Sequence, residues 1–335
     1  MTNSWCNRPY HEGDEHGILA LRRAAFGNLD PVRLLMSTWR WQFKDNPAGA
    51  PFIRLAECRG RVVAQYAVIP MRVSVDGAER TLAFSCDTMT HPAFQRRGLF
   101  SLLAGAVYRD MEEQAGIRGV FGFPNRASMP GFVKNLGWKH IASLPPWVTP
   151  ANPAGALFPP GAGFRENGRD VALAPLSGFG PCFDDLWARH RPEKGVALVR
   201  DSRYLSWRYP SFPDFGYSAF SIAEQGETRG FLVLRPIRIK GIPILAIVDA
   251  FPLNILTPGL LGLLRKMAAK AHATAITALF APADYRRARR LGFFPAPKKI
   301  SPKTFELAGR FSPDEPESLT SEDGWRVSFG DTDIV

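Results

Sequence analysis

Residues Phe84 to Leu103 read FSCDTMTHPAFQRRGLFSLL, and the division of that stretch decides the fold. Phe84 to Thr90 has the composition of a strand, Pro92 opens a short turn, and a helix begins near Gly98. The helix carries Leu99, Leu102, Leu103 and Ala106 at a 3.6-residue period. Between strand and helix lies Gln95-Arg96-Arg97-Gly98-Leu99-Phe100. Such a junction leaves backbone N–H groups unpaired at the positive end of a helix, here with two arginines beside them. That is a seat for an anion, and a pyrophosphate suits it.

These six residues resemble the Q/R-x-x-G-x-G/A acyl-CoA loop of the GCN5-related N-acetyltransferases, with Phe100 at the last position. A strand at Val120–Phe123, then Asn125-Arg126-Ala127-Ser128, a helix and Leu136-Gly137-Trp138 resemble that family's N-x-x-A/S … L-G-F/W ending. The resemblance implies acetyl-CoA or another short acyl-CoA as co-substrate. Its pantetheine arm would pair with the strand through Thr90, and the N–H of Thr88 or Met89 would bind the thioester carbonyl. Its pyrophosphate would meet the N–H groups of Gln95, Arg96, Arg97, Gly98, Leu99 and Phe100. Asn125, with Ser128 nearby, would hold the pantetheine arm, although a helix N-cap is an equally good role for Asn125. The family often places a tyrosine seven residues after this asparagine as proton donor to the thiolate. Here that position is Phe132, which leaves the acid unassigned.

With 335 residues the chain has room for two domains, and 45% apolar with 22% charged residues is ordinary for a soluble protein with a sizeable core. A net charge of +11 favours anionic partners. The basic residues are scattered and form no nucleic-acid signature, and a phosphorylated cofactor with a phosphorylated acceptor accounts for the charge equally well. Cys6, Cys58, Cys86 and Cys182 lie far apart without CxxC spacing and read as free thiols, with no metal site. No apolar run has the length of a membrane span, and no targeting pattern opens the chain, so a cytoplasmic location is expected. The sequence carries no signal for oligomeric state.

Taken in order, residues 8–43 read as two helices, 52–90 as an antiparallel meander with turns at Arg59-Gly60 and Asp76-Gly77, and the rest of the first half as helix, strand, helix, strand. The second half repeats the first. Trp207-Arg208-Tyr209 echoes Trp41-Gln42-Phe43, residues 220–252 parallel 52–92, Gly259–Leu264 sits where Gly98–Leu103 sits, and Leu291-Gly292-Phe293 matches Leu136-Gly137-Trp138. The second copy has neither Gln nor Arg before Gly259, and Phe280-Ala281-Pro282-Ala283 replaces the Asn125 segment. The expected fold is therefore α/β, of the α+β mixed-sheet kind, with two tandem acetyltransferase-like domains of which the second is degenerate. The expected boundaries are 1–145 for the acyl-CoA-binding domain, 146–170 for a Pro/Gly-rich linker, 171–310 for the degenerate domain, and 311–335 for a polar tail.

Amide formation from a thioester needs N–H donors at the carbonyl, a deprotonated amine and help for the departing thiolate. Asp87 is the candidate base, an aspartate inside an apolar strand where partial burial would raise its basicity. Asp249 at the equivalent place of the degenerate copy argues instead for a structural role of both. Cys86 as an acyl-carrying nucleophile lacks an activating histidine, and His91 reads as a cap of the strand end. Trp41, Trp207 and Tyr209 read as core. The expected activity is acyl-CoA-dependent N-acyl transfer by direct reaction in a ternary complex. Because two-copy members of the resembled family include sugar N-acyltransferases, a small-molecule amine, including that of a nucleotide-linked amino sugar, is the expected acceptor. A peptide, antibiotic or aminoacyl-tRNA acceptor is one rival, and a non-catalytic acyl-CoA-binding protein is another.

Overall fold

A computed structural model describes residues 5–151, 163–166, 168–211, 215–297 and 303–332. In chain order the first half gives β1 (Cys6–Pro9), α1 (Glu15–Phe26), α2 (Met36–Phe43), β2 (Phe52–Cys58), β3 (Arg61–Val75), β4 (Ala78–Thr90), α3 (Leu99–Ala115), β5 (Gly119–Gly122), α4 (Met129–Leu136) and β6 (Lys139–Leu144). Then come β7 (Pro146–Pro150), β8 (Gly163–Glu166), β9 (Arg169–Leu176), α5 (Cys182–His190), β10 (Val196–Leu198) and α6 (Ser202–Arg208). The remainder is β11 (Ser218–Glu224), β12 (Glu227–Ile239), β13 (Ile242–Phe251), α7 (Pro258–Lys270), β14 (Ala275–Leu279), α8 (Tyr285–Arg290), β15 (Phe294–Pro295), β16 (Phe305–Phe311) and β17 (Trp325–Arg326).

Local sequence explains the meanders. Arg59-Gly60 and Asp76-Gly77 both have positive φ at each residue, as do Gln225-Gly226 and Lys240-Gly241 in the second half. Paired positive φ is the geometry of the tight turn that matches strand twist, and glycine at the second place makes it cheap. The two halves thus turn at matching places. α3 buries Leu99, Leu103, Ala106, Val107 and Met111 of its apolar period, while Leu102, expected on the same face, is exposed, and the helix stops at Gly116 with φ 63°.

Two sheets result, with strand orders β1-β2-β3-β4-β5-β16-β6 and β9-β11-β12-β13-β14-β7-β15, the second extended by β8 at its β9 edge. The orders superimpose position by position, and each path holds one exchanged strand, while β10 and β17 of the second half also join the first sheet. β16 runs antiparallel between β5 and β6, while β7 runs antiparallel between β14 and β15. The two copies have exchanged their closing strands.

Four sequence expectations change accordingly. The stretch expected as a linker supplies β7 and β8 to the second sheet, and residues 305–311 serve the first sheet rather than the second. The expected tail is no appendage: β17 pairs with β10, which pairs with the end of β3, and Trp325, Phe329 and Asp331 are buried. Arg8 and Pro9, expected to open a helix, instead end the edge strand Cys6–Pro9 on β2. The largest core cluster joins Trp41, Phe84 and Phe121 with Trp207, Phe231 and Trp325, so both halves share one interior.

Candidate functional site

β4 and β5 run parallel and pair only at Ala83 with Val120 and Phe84 with Phe121. Beyond Phe84 they part, and the parting opens toward the junction before α3. On its other side β4 keeps its ladder with β3 but skips a step. Cys86 faces Ala67 and Met89 faces Gln65, leaving Asp87 and Thr88 in a bulge with Asp87 at φ +49°. A bulge frees backbone groups from the ladder and re-aims side chains, and a positive φ at a non-glycine residue must be held from outside. Arg22 Nη1 and Arg33 Nη1 hold it, donating to Asp87 Oδ1 at 2.5 and 3.3 Å, while Gln65 Nε2 donates to the Asp87 carbonyl at 2.9 Å. Arg33 is itself paired with Asp30. The bulge puts Asp87 on the α1 side, and Cys86 is buried in the shared core. The predicted base is thus an anchored carboxylate with two guanidiniums on one oxygen.

Thr88 Oγ1 and Gln65 Oε1 are buried without a hydrogen-bond partner among the described residues. Orphaned polar atoms beside an opened strand pair are what a ligand that adds hydrogen bonds would satisfy. The junction gives the same message. Gln95 N–H bonds to Pro92 O at 3.4 Å, so the free run starts one residue later than expected. Among the described residues, the backbone N–H groups of Arg96 through Ser101 meet no acceptor, and Leu102 N–H is the first to bond, to Gly98 O. Arg96 at φ +61° and Gly98 at φ +76° curl this run into a concave seat. Arg97 lies over the Phe94 ring and donates to Ala93 O, and His91 Nδ1 accepts from Ala93 N–H, which fixes the turn. His91 therefore caps, as expected. These residues fit the pyrophosphate and pantetheine of an acyl-CoA.

Asn125 does what a cap does. Its Oδ1 accepts from Ala127 and Ser128 N–H, both at 2.9 Å, and the Ser128 hydroxyl returns to the Asn125 carbonyl. Phe100 and Phe132 turn toward the core beneath the site, their rings 5.0 Å apart. Beside them runs a hydroxyl thread that the sequence reading missed. Trp138 Nε1 donates to Tyr108 Oη at 2.8 Å, Tyr108 and Tyr66 hydroxyls are 2.7 Å apart, and Ser85 Oγ lies 3.3 Å from Tyr66 Oη. Burial pushes Tyr66 well above the usual tyrosine value and Tyr108 up to about 12, so both stay protonated. Tyrosines spaced by strand and helix position give no sequence signal that they meet.

The second copy has the parting without the seat. β13 and β14 pair from Ile244 with Ala275 to Ile247 with Ala278, then separate. At the start of α7, Thr257 Oγ1 accepts from Leu260 N–H and Pro258 has no N–H to offer. β8 lies across this end, where a Cβ on Gly259 would fall 2.5 Å from Glu166 Oε2 and 2.7 Å from Phe164 Cδ2. A carboxylate occupies the place a phosphate would need. Asp249 is buried on Arg200, with Tyr209 Oη donating to its Oδ2 at 2.8 Å, and Arg200 also holds Asp331 at 2.8 Å. Among the described residues no group of three or more His, Cys, Asp or Glu could hold a metal, and no helix is long and apolar enough to cross a membrane.

Residues 7–141, nearly the whole of the first copy, match the model of the acetyltransferase (GNAT) domain family. No curated protein matches the sequence. Solved structures share the fold across both copies. A GCN5-related N-acetyltransferase from Anabaena variabilis aligns with TM-score 0.63 at 14% identity, over 92% of this chain and 73% of its own. One from Kribbella flavida gives 0.62 at 17%, over 92% and 71%. The N-myristoyltransferase of Saccharomyces cerevisiae, solved with myristoyl-CoA bound, gives 0.60 at 12%, over 98% and 90%.

Proposed function

We propose that this protein transfers an acetyl or other short acyl group from acyl-CoA to a primary amine by direct attack in a ternary complex. The observation that carries the proposal is the run of unpaired N–H groups from Arg96 to Ser101, opening onto a parting with an orphaned Thr88 hydroxyl. The pyrophosphate sits on that run beside Arg96 and Arg97, and the pantetheine arm follows β4 into the parting. Thr88 N–H, released by the bulge, donates to the thioester carbonyl and to the oxyanion that replaces it. The neutral amine nitrogen bonds to the carbonyl carbon, the C–S bond breaks, and the proton that the nitrogen gives up passes through water to the departing thiolate, because Phe132 supplies none. Asp87 holds the bulge through Arg22 and Arg33 and so positions Thr88.

For the acceptor we propose a small-molecule amine carrying negative charge, of which a nucleotide-linked amino sugar is one. An open groove of about 910 Å³ between α1 and the β2–β3 turn reaches His91 and Phe94, and Arg59 and Arg61 line it. Charge complementarity there favours a phosphorylated acceptor over a polycationic one. The test is release of free CoA thiol from acetyl-CoA with a panel of amines. Turnover should appear with phosphorylated amino sugars and fail with polycationic amines; no turnover with any amine, despite tight acetyl-CoA binding, would leave a binding protein.

A further inference from the structure

Where β13 and β14 part, the second copy keeps a cavity of about 180 Å³. Its apolar floor is Ile247, Leu253, Leu256 and Phe280, and two opposite charges stand on its wall, Asp284 and Arg326. They are not bonded to each other. Among the described residues the Asp284 carboxylate has no hydrogen-bond or ion-pair partner, and the Arg326 guanidinium meets only the Asp323 carbonyl, at 3.3 Å. Of the neighbouring charges, Arg200 is paired with Asp249 and Asp331, and Arg287 donates through Nη2 to the carbonyls of Asn254 and Leu256 while its Nε is buried without a partner among the described residues. Burial holds the Asp284 carboxyl above the usual aspartate value even though Arg326 and Arg287 act the other way. A half-buried carboxylate and guanidinium left apart over an apolar floor cost free energy that a ligand bridging them would recover.

We propose that this cavity binds a free α-amino acid with an apolar side chain. The ammonium meets Asp284, the carboxylate meets Arg326, and the side chain lies on Leu253, Leu256 and Phe280. The size fits, since an apolar cavity of roughly 150 Å³ holds benzene and this one is about 180 Å³. Acyl-CoA is excluded by Glu166 and Thr257 at the start of α7, so the cavity is a second site, independent of the transferase reading.

The experiment is calorimetric titration of the full chain with L-leucine, beside 3-methylbutylamine, which keeps only the ammonium, and 4-methylpentanoate, which keeps only the carboxylate. L-leucine should bind near one equivalent and each analogue at least about tenfold more weakly, as expected when a charge-assisted hydrogen bond is lost. Asp284→Asn and Arg326→Gln should each weaken L-leucine by about tenfold while leaving acetyl-CoA binding unchanged. Both side chains are partly exposed, and a cooperative melt of each variant checks its fold. Absence of L-leucine binding at millimolar concentration, analogues that bind equally well, or variants that bind L-leucine as the parent does would each overturn the proposal. Acetyl-CoA titration of the same samples reports the first copy separately.

Discussion

The indoles of Trp41 and Trp207 stack with centroids 4.8 Å apart and planes 10° from parallel, and each Nε1–H donates to the other's backbone carbonyl, at 2.8 and 2.9 Å. The pair is reciprocal because the residues hold the same place in the two copies, so one contact satisfies both. Replacing either tryptophan by phenylalanine removes one buried hydrogen bond, which should cost about 0.5–1.5 kcal/mol. A double-mutant cycle by denaturant unfolding should show a coupling of roughly 0.5–3 kcal/mol. Additive losses would mean that the two indoles merely fill space.

Exchange of β7 and β16 ties the copies together more firmly than a linker could. Thermal unfolding should show one transition, and residues 1–145 expressed alone should not fold, because β16 is missing from between β5 and β6. Two resolved transitions, or a folded half, would show that each sheet is self-sufficient.

Asp284 provides a pH test with a defined sign. Its folded pKa is raised by burial above the unfolded value. The stability this contributes is present below the unfolded aspartate value and lost as pH rises through the raised one. Asp284→Asn should therefore raise Tm at pH 7, and the gain should shrink to nothing as pH falls below the usual aspartate range. An equal gain at all pH values would show that its ionisation has no part.

Asp87 is expected to position rather than to accept a proton. Asp87→Asn weakens the hold of Arg22 and Arg33 on the bulge and should lower kcat by about 10²-fold, the cost of disturbing an oxyanion donor, with KM for acyl-CoA and the pH profile little changed. Loss of the acidic limb of that profile would instead make Asp87 the base.

How much of this could be read from the chain depends on how local the signal is. The junction at Gln95–Phe100, though shifted by one residue from the free N–H run, the tight turns at Arg59-Gly60 and Asp76-Gly77, and the repeat all rest on neighbouring residues, and all are legible. Asp87 was visible as unusual, but its partners Arg22 and Arg33 lie more than 50 residues away in sequence, and distant charge pairs leave no local mark. The same holds for Tyr66 and Tyr108. The strand exchange was invisible for a stronger reason. Phe305–Phe311 alternates like any strand, and no feature of its own residues says which sheet it joins. A Pro/Gly-rich stretch before β8 reads as a linker because composition speaks of chain stiffness, not of pairing.

The most direct test of the account is calorimetric titration of the protein with acetyl-CoA, repeated with Arg97→Glu. One equivalent of tight binding, lost in the variant, is the predicted result, since the described residues hold a single seat of free N–H groups and Glu166 closes its counterpart. Two equivalents would contradict the closure of the second copy. Absence of binding by acetyl-CoA and by longer acyl-CoAs would contradict the acyltransferase reading itself.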